Sequence, residues 1–204
     1  MEGVYESLAG QLLSLSELAR DVGIAPNTAK SWISILETSR QIFLLEPYHS
    51  SAGKRLIKTP NLYSSDPGML TYLLGFTDWE SVIRNAAWGA VWENFVIGEV
   101  YKHFYNLGKR PPCGFWRTVQ GEEVDLLIEV GSRQFLAIQC KPTACVESNA
   151  LKGFAEIEKS YGTQALKKAA VICRTESPSP LAPRSRMVAQ PLVGSTLYKT
   201  NRHS

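Results

Sequence analysis

The chain lacks the features that most readily announce a function. Its four cysteines (Cys113, Cys140, Cys145 and Cys173) are scattered, with no CxxC pair. That excludes the common zinc-site spacings and a disulfide framework, and reads as reduced thiols in a cytoplasmic protein. No apolar run approaches the roughly 18 residues of a membrane helix. The opening MEGVYESLAG lacks the basic-then-apolar pattern of a secretory signal. No GxxxxGK[ST] occurs, so the chain has no P-loop ATP site. His49, His103 and His203 stand too far apart to suggest a ligand set. There is no internal repeat and no long linker.

Strong charge is also missing. The net charge is +3, and its distribution says more than its size. Residues 1–65 carry six Lys/Arg and six Asp/Glu, and residues 66–163 carry nine and twelve. Residues 164–204 carry seven and one, so the positive excess lies towards the C-terminus. Global charge is therefore a poor argument for nucleic-acid binding. What is present is an ordinary globular composition, 44% hydrophobic and 20% charged over 204 residues. That length suits one large domain or two small ones.

Residues 8–64 read as a first module. SLSELARDVG places Leu15, Leu18, Ala19 and Val22 at helical spacing, with Ser16 as N-cap and Gly23 as the stop. A second helix runs from Pro26 to about Thr38, with Ala29, Trp32, Ile33 and Leu36 inward. IFLLEPY, a Ser-Ser-Ala-Gly turn and KRLIKTPNLYS then make a two-stranded ribbon. Helix, tight turn, helix, ribbon is the order of a winged helix-turn-helix. In a DNA-binding version, Asn27, Thr28, Lys30 and Ser31 face the major groove. Lys54, Arg55 and Lys58 then sit on the wing. The alternative is a winged helix used for protein packing, and the module's neutral charge leaves it open.

Residues 65–88 read as a helical connector, with an Asp66 cap and Pro67 in the first turn. Residues 89–195 form a second module. GAVWENFVIGEVYKHFYNLG is one long helix, apolar around most of its circumference and therefore buried. Strands follow near 113–119, 123–130 and 134–141, then a helix at 148–161 and strands at 169–174 and 187–193. This is an α/β (α+β) arrangement with a mixed central sheet flanked by helices. Trp88, Trp92, Phe115 and Trp116 read as core rather than as base-stacking platforms. Residues 196–204 read as a frayed tail.

Polar residues inside the second module carry the chemistry. In EVDLLIEVGSRQFLAIQCK, a three-residue Gly-Ser-Arg loop sets a register that puts Asp125 opposite Gln139. Lys141 shares their face two residues on, while Leu136, Ile138 and Cys140 point into the core. Such a cluster is either a satisfied polar network or a metal and phosphate site.

The order Glu93, Asp125, Gln139-Cys140-Lys141 resembles the PD-(D/E)xK nuclease superfamily, the restriction-endonuclease-like fold. The wider series TAKSWISILE, GKRLIKTPNLYSSDPGMLTYLLG, WENFVIGEVYKH, FWRTVQGEEVDLLIE and AIQCKPT resembles an uncharacterised C-terminal domain of prokaryotic AAA+ ATPases. The resemblance implies Mg²⁺- or Mn²⁺-assisted phosphodiester hydrolysis. It implies Asp125 as metal ligand, Lys141 as catalytic lysine and Glu93 as supporting acid, with Glu123 close enough to help. Gln139 stands where the superfamily carries Asp or Glu. Its amide oxygen can coordinate a metal but brings no charge. The resemblance also implies DNA and an AAA+ ATPase domain as partners; that domain precedes the winged helix in full-length relatives, and this chain begins where it would end. Three functions follow as expectations. One is a DNA-associated module with a weak or inactive nuclease-like site. Another is a non-catalytic interaction or regulatory domain, and the last a simple winged-helix transcription regulator.

Overall fold

The structure, a computed structural model, describes residues 9–48, 57–143, 148–175, 179–180 and 187–190. Lys54, Arg55, His49, His203, Cys145 and the tail 196–204 lie outside the described residues.

The first part of the chain builds β1 (Ala9–Leu12), α1 (Leu15–Val22), α2 (Pro26–Thr38), β2 (Ile42–Leu45) and β3 (Asn61–Ser64). The N-cap of α1 is Ser14, whose hydroxyl accepts from the Glu17 N–H. SLSE is a capping-box sequence, in which the cap residue serves the N–H three positions on; that favours Ser14 over Ser16. Gly23 ends α1 at φ 76°, a left-handed conformation suited to glycine, and Ile24 N–H returns to Ala19 O at 2.9 Å. β1, which the periodicity did not signal, pairs antiparallel with β3, giving the sheet order β1-β3-β2.

The two helices bury less than their apolar spacing predicts. Ala19, Ala29 and Ile33 are buried, but Val22, Trp32, Ile35 and Leu36 are 41%, 51%, 64% and 38% exposed. The cause is geometric. Ala29 and Ile33 lie one above the other and face the small cluster of Ile33, Ile42 and Leu62. Trp32 and Leu36 are turned off that line, towards solvent.

α3 (Pro67–Leu73) and α4 (Trp79–Arg84) lead into the long helix α5 (Trp88–Asn106). The Asp66 carboxylate caps α3, accepting from Gly68 and Met69 N–H. Then come β4 (Cys113–Arg117), β5 (Glu123–Gly131), β6 (Gln134–Cys140), a 3-10 turn at Ser148–Leu151, α6 (Lys152–Tyr161), β7 (Leu166–Ile172), β8 (Ser179–Pro180) and β9 (Met187–Gln190). The sheet order is β4-β5-β6-β7-β9-β8. β4, β5 and β6 run antiparallel, while β6-β7 and β7-β9 are parallel. The fold is α+β with a mixed sheet.

Two cores sandwich that sheet. On one face α5 packs Val96, Ile97 and Val100 against Leu126, Ile128, Ile138 and Ile172. On the other, Phe154 and Ile157 of α6 pack against Leu127, Ala137 and Val171. Phe43, Leu45 and Tyr63 of the ribbon belong to the α5 core. Backbone bonds extend the junction: Tyr48 N–H donates to Phe115 O at 2.7 Å, and Phe115 N–H to Glu46 O at 3.1 Å. Among the described residues, no helix is long and apolar enough to cross a membrane.

Candidate functional site

Register builds the site. Leu126 faces Ile138, Leu127 faces Ala137 and Ile128 faces Leu136. One step further, Asp125 and Gln139 meet. Gln139 Nε2 donates to Asp125 Oδ1 at 2.8 Å, and Cys140 N–H donates to Asp125 Oδ2 at 2.6 Å. The loop that sets this register is shorter than the sequence suggests. Ser132 and Arg133 make a tight turn closed by Gly131 facing Gln134, and Val130 is bulged out of the ladder. A short turn plus one bulged residue gives the same register as the longer loop.

A second bulge lies on the β4 side of β5. Gly114 faces Leu127 and Trp116 faces Val124, so β5 carries an extra residue at Asp125–Leu126. Bulges bend a strand and re-aim its side chains. Here Val124 and Leu127 both enter the α6 core while Leu126 enters the α5 core, and Asp125 is placed at the strand's end.

α5 brings Glu93 to the same place. The next residue, Asn94, is fully buried and grips β3 through its Ser64 backbone. Asn94 Oδ1 accepts from Ser64 N–H at 2.8 Å, and Asn94 Nδ2 donates to Ser64 O at 3.0 Å. That grip seats Tyr63 beside Glu93, and Tyr63 OH donates to Glu93 Oε1 at 2.7 Å. Asn61 Nδ2 reaches Tyr63 OH at 3.4 Å.

The acids are held in an environment that opposes their charge. Burial pushes Asp125 up to about 7, with the Glu123 carboxylate adding to it. The Cys140 N–H, the Lys141 ammonium and the Gln139 amide pull the other way. Burial also raises Glu93 well above the usual carboxylate range, and Asp125 nearby raises it further. The Tyr63 hydroxyl and Lys141 oppose that rise. Lys141 is anchored by its N–H on Ile172 O at 2.9 Å. With Gln139 it lines a cavity of about 390 Å³ that Glu123, Lys152 and Gly153 also border. Glu123 sits at the rim, half exposed, with Arg117 Nε 3.5 Å from its Oε2.

The structure thus brings Glu93, Asp125, Gln139 and Lys141 together, with Glu123 beside them. Asn27, Thr28, Lys30 and Ser31 are exposed on α2, and Lys58 is exposed after the ribbon's tip. None of these five borders the cavities beside Asp125.

The carboxylate oxygens of Glu93 and Asp125 and the amide oxygen of Gln139 are hard donors of the kind Mg²⁺ or Mn²⁺ takes, while both Asp125 oxygens already accept from the Gln139 amide and the Cys140 N–H. Among the described residues, no three His, Cys, Asp or Glu side chains converge as a ligand set. A cation here would draw on the Glu93 and Asp125 carboxylates and on amide oxygen. Gln139 Oε1 is buried and has no hydrogen-bond partner. That orphaned acceptor, beside two buried acids, fits a weakly held cation.

The family model described as "Domain of unknown function (DUF4143)" matches residues 88–192, just over half of the chain. The chain belongs to this family. Glu93, Asp125, Gln139 and Lys141 all lie within the DUF4143 segment. A second model, "Domain of unknown function (DUF8612)", matches residues 3–80 and so includes Asn61 and Tyr63. Two curated relatives are the uncharacterized proteins Mb2031c of Mycobacterium bovis and Rv2008c of Mycobacterium tuberculosis. Each is 36% identical over 126 residues, which is 62% of this chain and 28% of theirs. The chain therefore spans well under a third of their length. A solved complex of Thermococcus gammatolerans McrB AAA+ hexamers with bound McrC matches at TM-score 0.36 and 10% identity. The match covers 93% of this chain and 70% of that one.

Sequence reasoning overlooked Asn61, Tyr63 and Asn94. A faint signal existed. Asn61 and Tyr63 are two apart on a strand, so they share a face. Glu93-Asn94 is a polar pair inside an otherwise apolar stretch of helix.

Proposed function

We propose that the chain is a DNA-associated module of an AAA+ ATPase-type protein, a winged helix joined to a PD-(D/E)xK nuclease-like domain with a weak Mg²⁺- or Mn²⁺-dependent phosphodiesterase site. The carrying observation is the meeting of Glu93, Asp125, Gln139 and Lys141 at one end of β5 and β6. The cytoplasmic setting rests on the four scattered cysteines, and the ATPase partner on the resemblance of the ordered motifs.

Asp125, Glu93 and the Gln139 amide oxygen would hold the cation. When bound, it would supply charge stabilisation at a phosphoryl oxygen and a more acidic water. Lys141 supplies positive charge on the cavity side, where a scissile phosphate can be held and oriented. The Gln139 amide and the Cys140 N–H fix both Asp125 oxygens in direction. Tyr63 fixes Glu93. Gln139 lowers the negative charge of the site by one relative to an acid, so cation affinity and turnover are low.

Cleavage of plasmid and single-stranded DNA with Mg²⁺ or Mn²⁺ tests this. Wild type should cut slowly, and Asp125→Ala and Lys141→Ala should not cut. Equal silence of all three sinks the catalytic reading.

A second reading, a non-catalytic protein-interaction module, is favoured by the apolar exposure of Trp32, Ile35 and Leu36 on α2. A gel shift across salt concentrations separates the two. Binding through Asn27, Thr28, Lys30 and Ser31 with wing contacts from Lys54, Arg55 and Lys58 should weaken steeply with salt. No DNA binding at low salt favours the protein partner.

A further inference from the structure

The carboxylate site has a second orphaned acceptor, and it comes from the other end of the chain. Asn61 on β3 is 8% exposed, and its Oδ1 is buried with no hydrogen-bond partner. An unmet buried acceptor costs about 1–3 kcal/mol, so it calls for a ligand. With Glu93 ionised, as a bound cation would hold it, the amide orientation follows from the hydrogen bonds. Tyr63 OH gives its single proton to Glu93 Oε1, so the Tyr63 oxygen can only accept from Asn61, which requires Nδ2 on that side. Oδ1 is then left over.

Asn61 borders a cavity of about 190 Å³ whose wall includes Glu93, Glu123 and Asp125. Arg117 is the one basic residue on that wall, and it is already paired with Glu123. The wall is rich in oxygen acceptors, which favours an occupant that donates hydrogen bonds or carries positive charge. A water takes roughly 30 Å³, so the cavity has room for a small cation with much of its water shell.

We propose that Asn61 is a neutral oxygen donor to a hydrated divalent cation at the Glu93–Asp125 site. Because Asn61 lies on the ribbon, the cation site is completed by both parts of the chain. This inference rests on reading the site as cation-dependent.

The test uses the full chain and Mn²⁺ alone, with no DNA, followed by calorimetry and by the Mn²⁺ spin-resonance signal. Wild type should bind Mn²⁺ weakly and Asp125→Ala should not. Asn61→Ala should weaken binding roughly tenfold, the lower end of the loss seen for supporting groups at metal sites. Asn61→Asp, nearly the same shape with an added charge, should tighten it. Circular dichroism checks that each variant is folded, and Asn61→Ser stands in if the alanine variant is not. If Asn61→Ala, Asn61→Ser and Asn61→Asp all bind like wild type while Asp125→Ala does not bind, the Asn61 role is wrong and the cation-dependent reading survives. If wild type binds no more Mn²⁺ than Asp125→Ala, both fail.

Discussion

The helix pair α1–α2 and the sheet sandwich around α5 use apolar residues in opposite ways. The pair buries three small or medium residues (Ala19, Ala29 and Ile33) and leaves Trp32, Ile35 and Leu36 in solvent. The sandwich buries nearly everything it has, including the polar Asn94, Asp125 and Gln139. Exposed apolar groups cost the isolated chain little and are available to a partner. Buried polar groups must each be matched, and where they are not, as at Asn61 Oδ1 and Gln139 Oε1, the acceptor is left open to a water or an ion. On the proposed reading, the contrast separates a docking surface from a chemical site.

Substitutions can break that contrast at points of known tightness. Gly153 of α6 lies directly on the β5 backbone, where a methyl group would overlap the Glu123 carbonyl. Gly153→Ala should therefore cost at least about 3 kcal/mol, or prevent folding, in denaturant titration. Asn94→Ala removes both bonds to Ser64 and leaves that backbone unpaired. A loss of about 2–3 kcal/mol is expected, with Glu93 and Tyr63 pulled out of alignment.

The buried acids give a pH signature. Asp125 is held at about 7 when folded, above its usual unfolded value near ~4. The folded state thus keeps a proton that the unfolded state has lost. Stability is fullest below about pH 4 and falls as pH rises through about 7. A decline on the order of 1–3 kcal/mol is expected between pH 5 and 8. Asp125→Asn should lessen it, with Glu93 carrying the remainder; an unchanged slope would mean that Asp125 is not among the groups being charged. On the helix pair, Ile35→Lys should change stability by less than about 0.5 kcal/mol while weakening capture of a protein partner. A larger loss of stability would mean that this face is packed after all.

Much of the second module was legible because long periodic segments report their own burial. The long helix, the three antiparallel strands and the Asp125–Gln139 register all follow from apolar spacing and a short loop. The loop's internal make-up did not, because a tight turn with a bulge and a longer loop give one register. Trp32 and Leu36 misled because helical spacing reveals a face but not whether anything lies opposite it. Ser16 misled because two serines stand at the helix start and only the spacing to Glu17 distinguishes them. Asn61, Tyr63 and Asn94 escaped because their meaning arises from contacts between segments some thirty residues apart.

On the proposed reading, Gln139 occupies an acid's place in a working cation site. The direct measurement is Mn²⁺-dependent DNA cleavage by Gln139→Glu beside wild type and the double variant Asp125→Ala/Gln139→Glu. The account predicts faster cleavage by Gln139→Glu and none by the double variant. Cleavage absent from Gln139→Glu, or undiminished in the double variant, would contradict it.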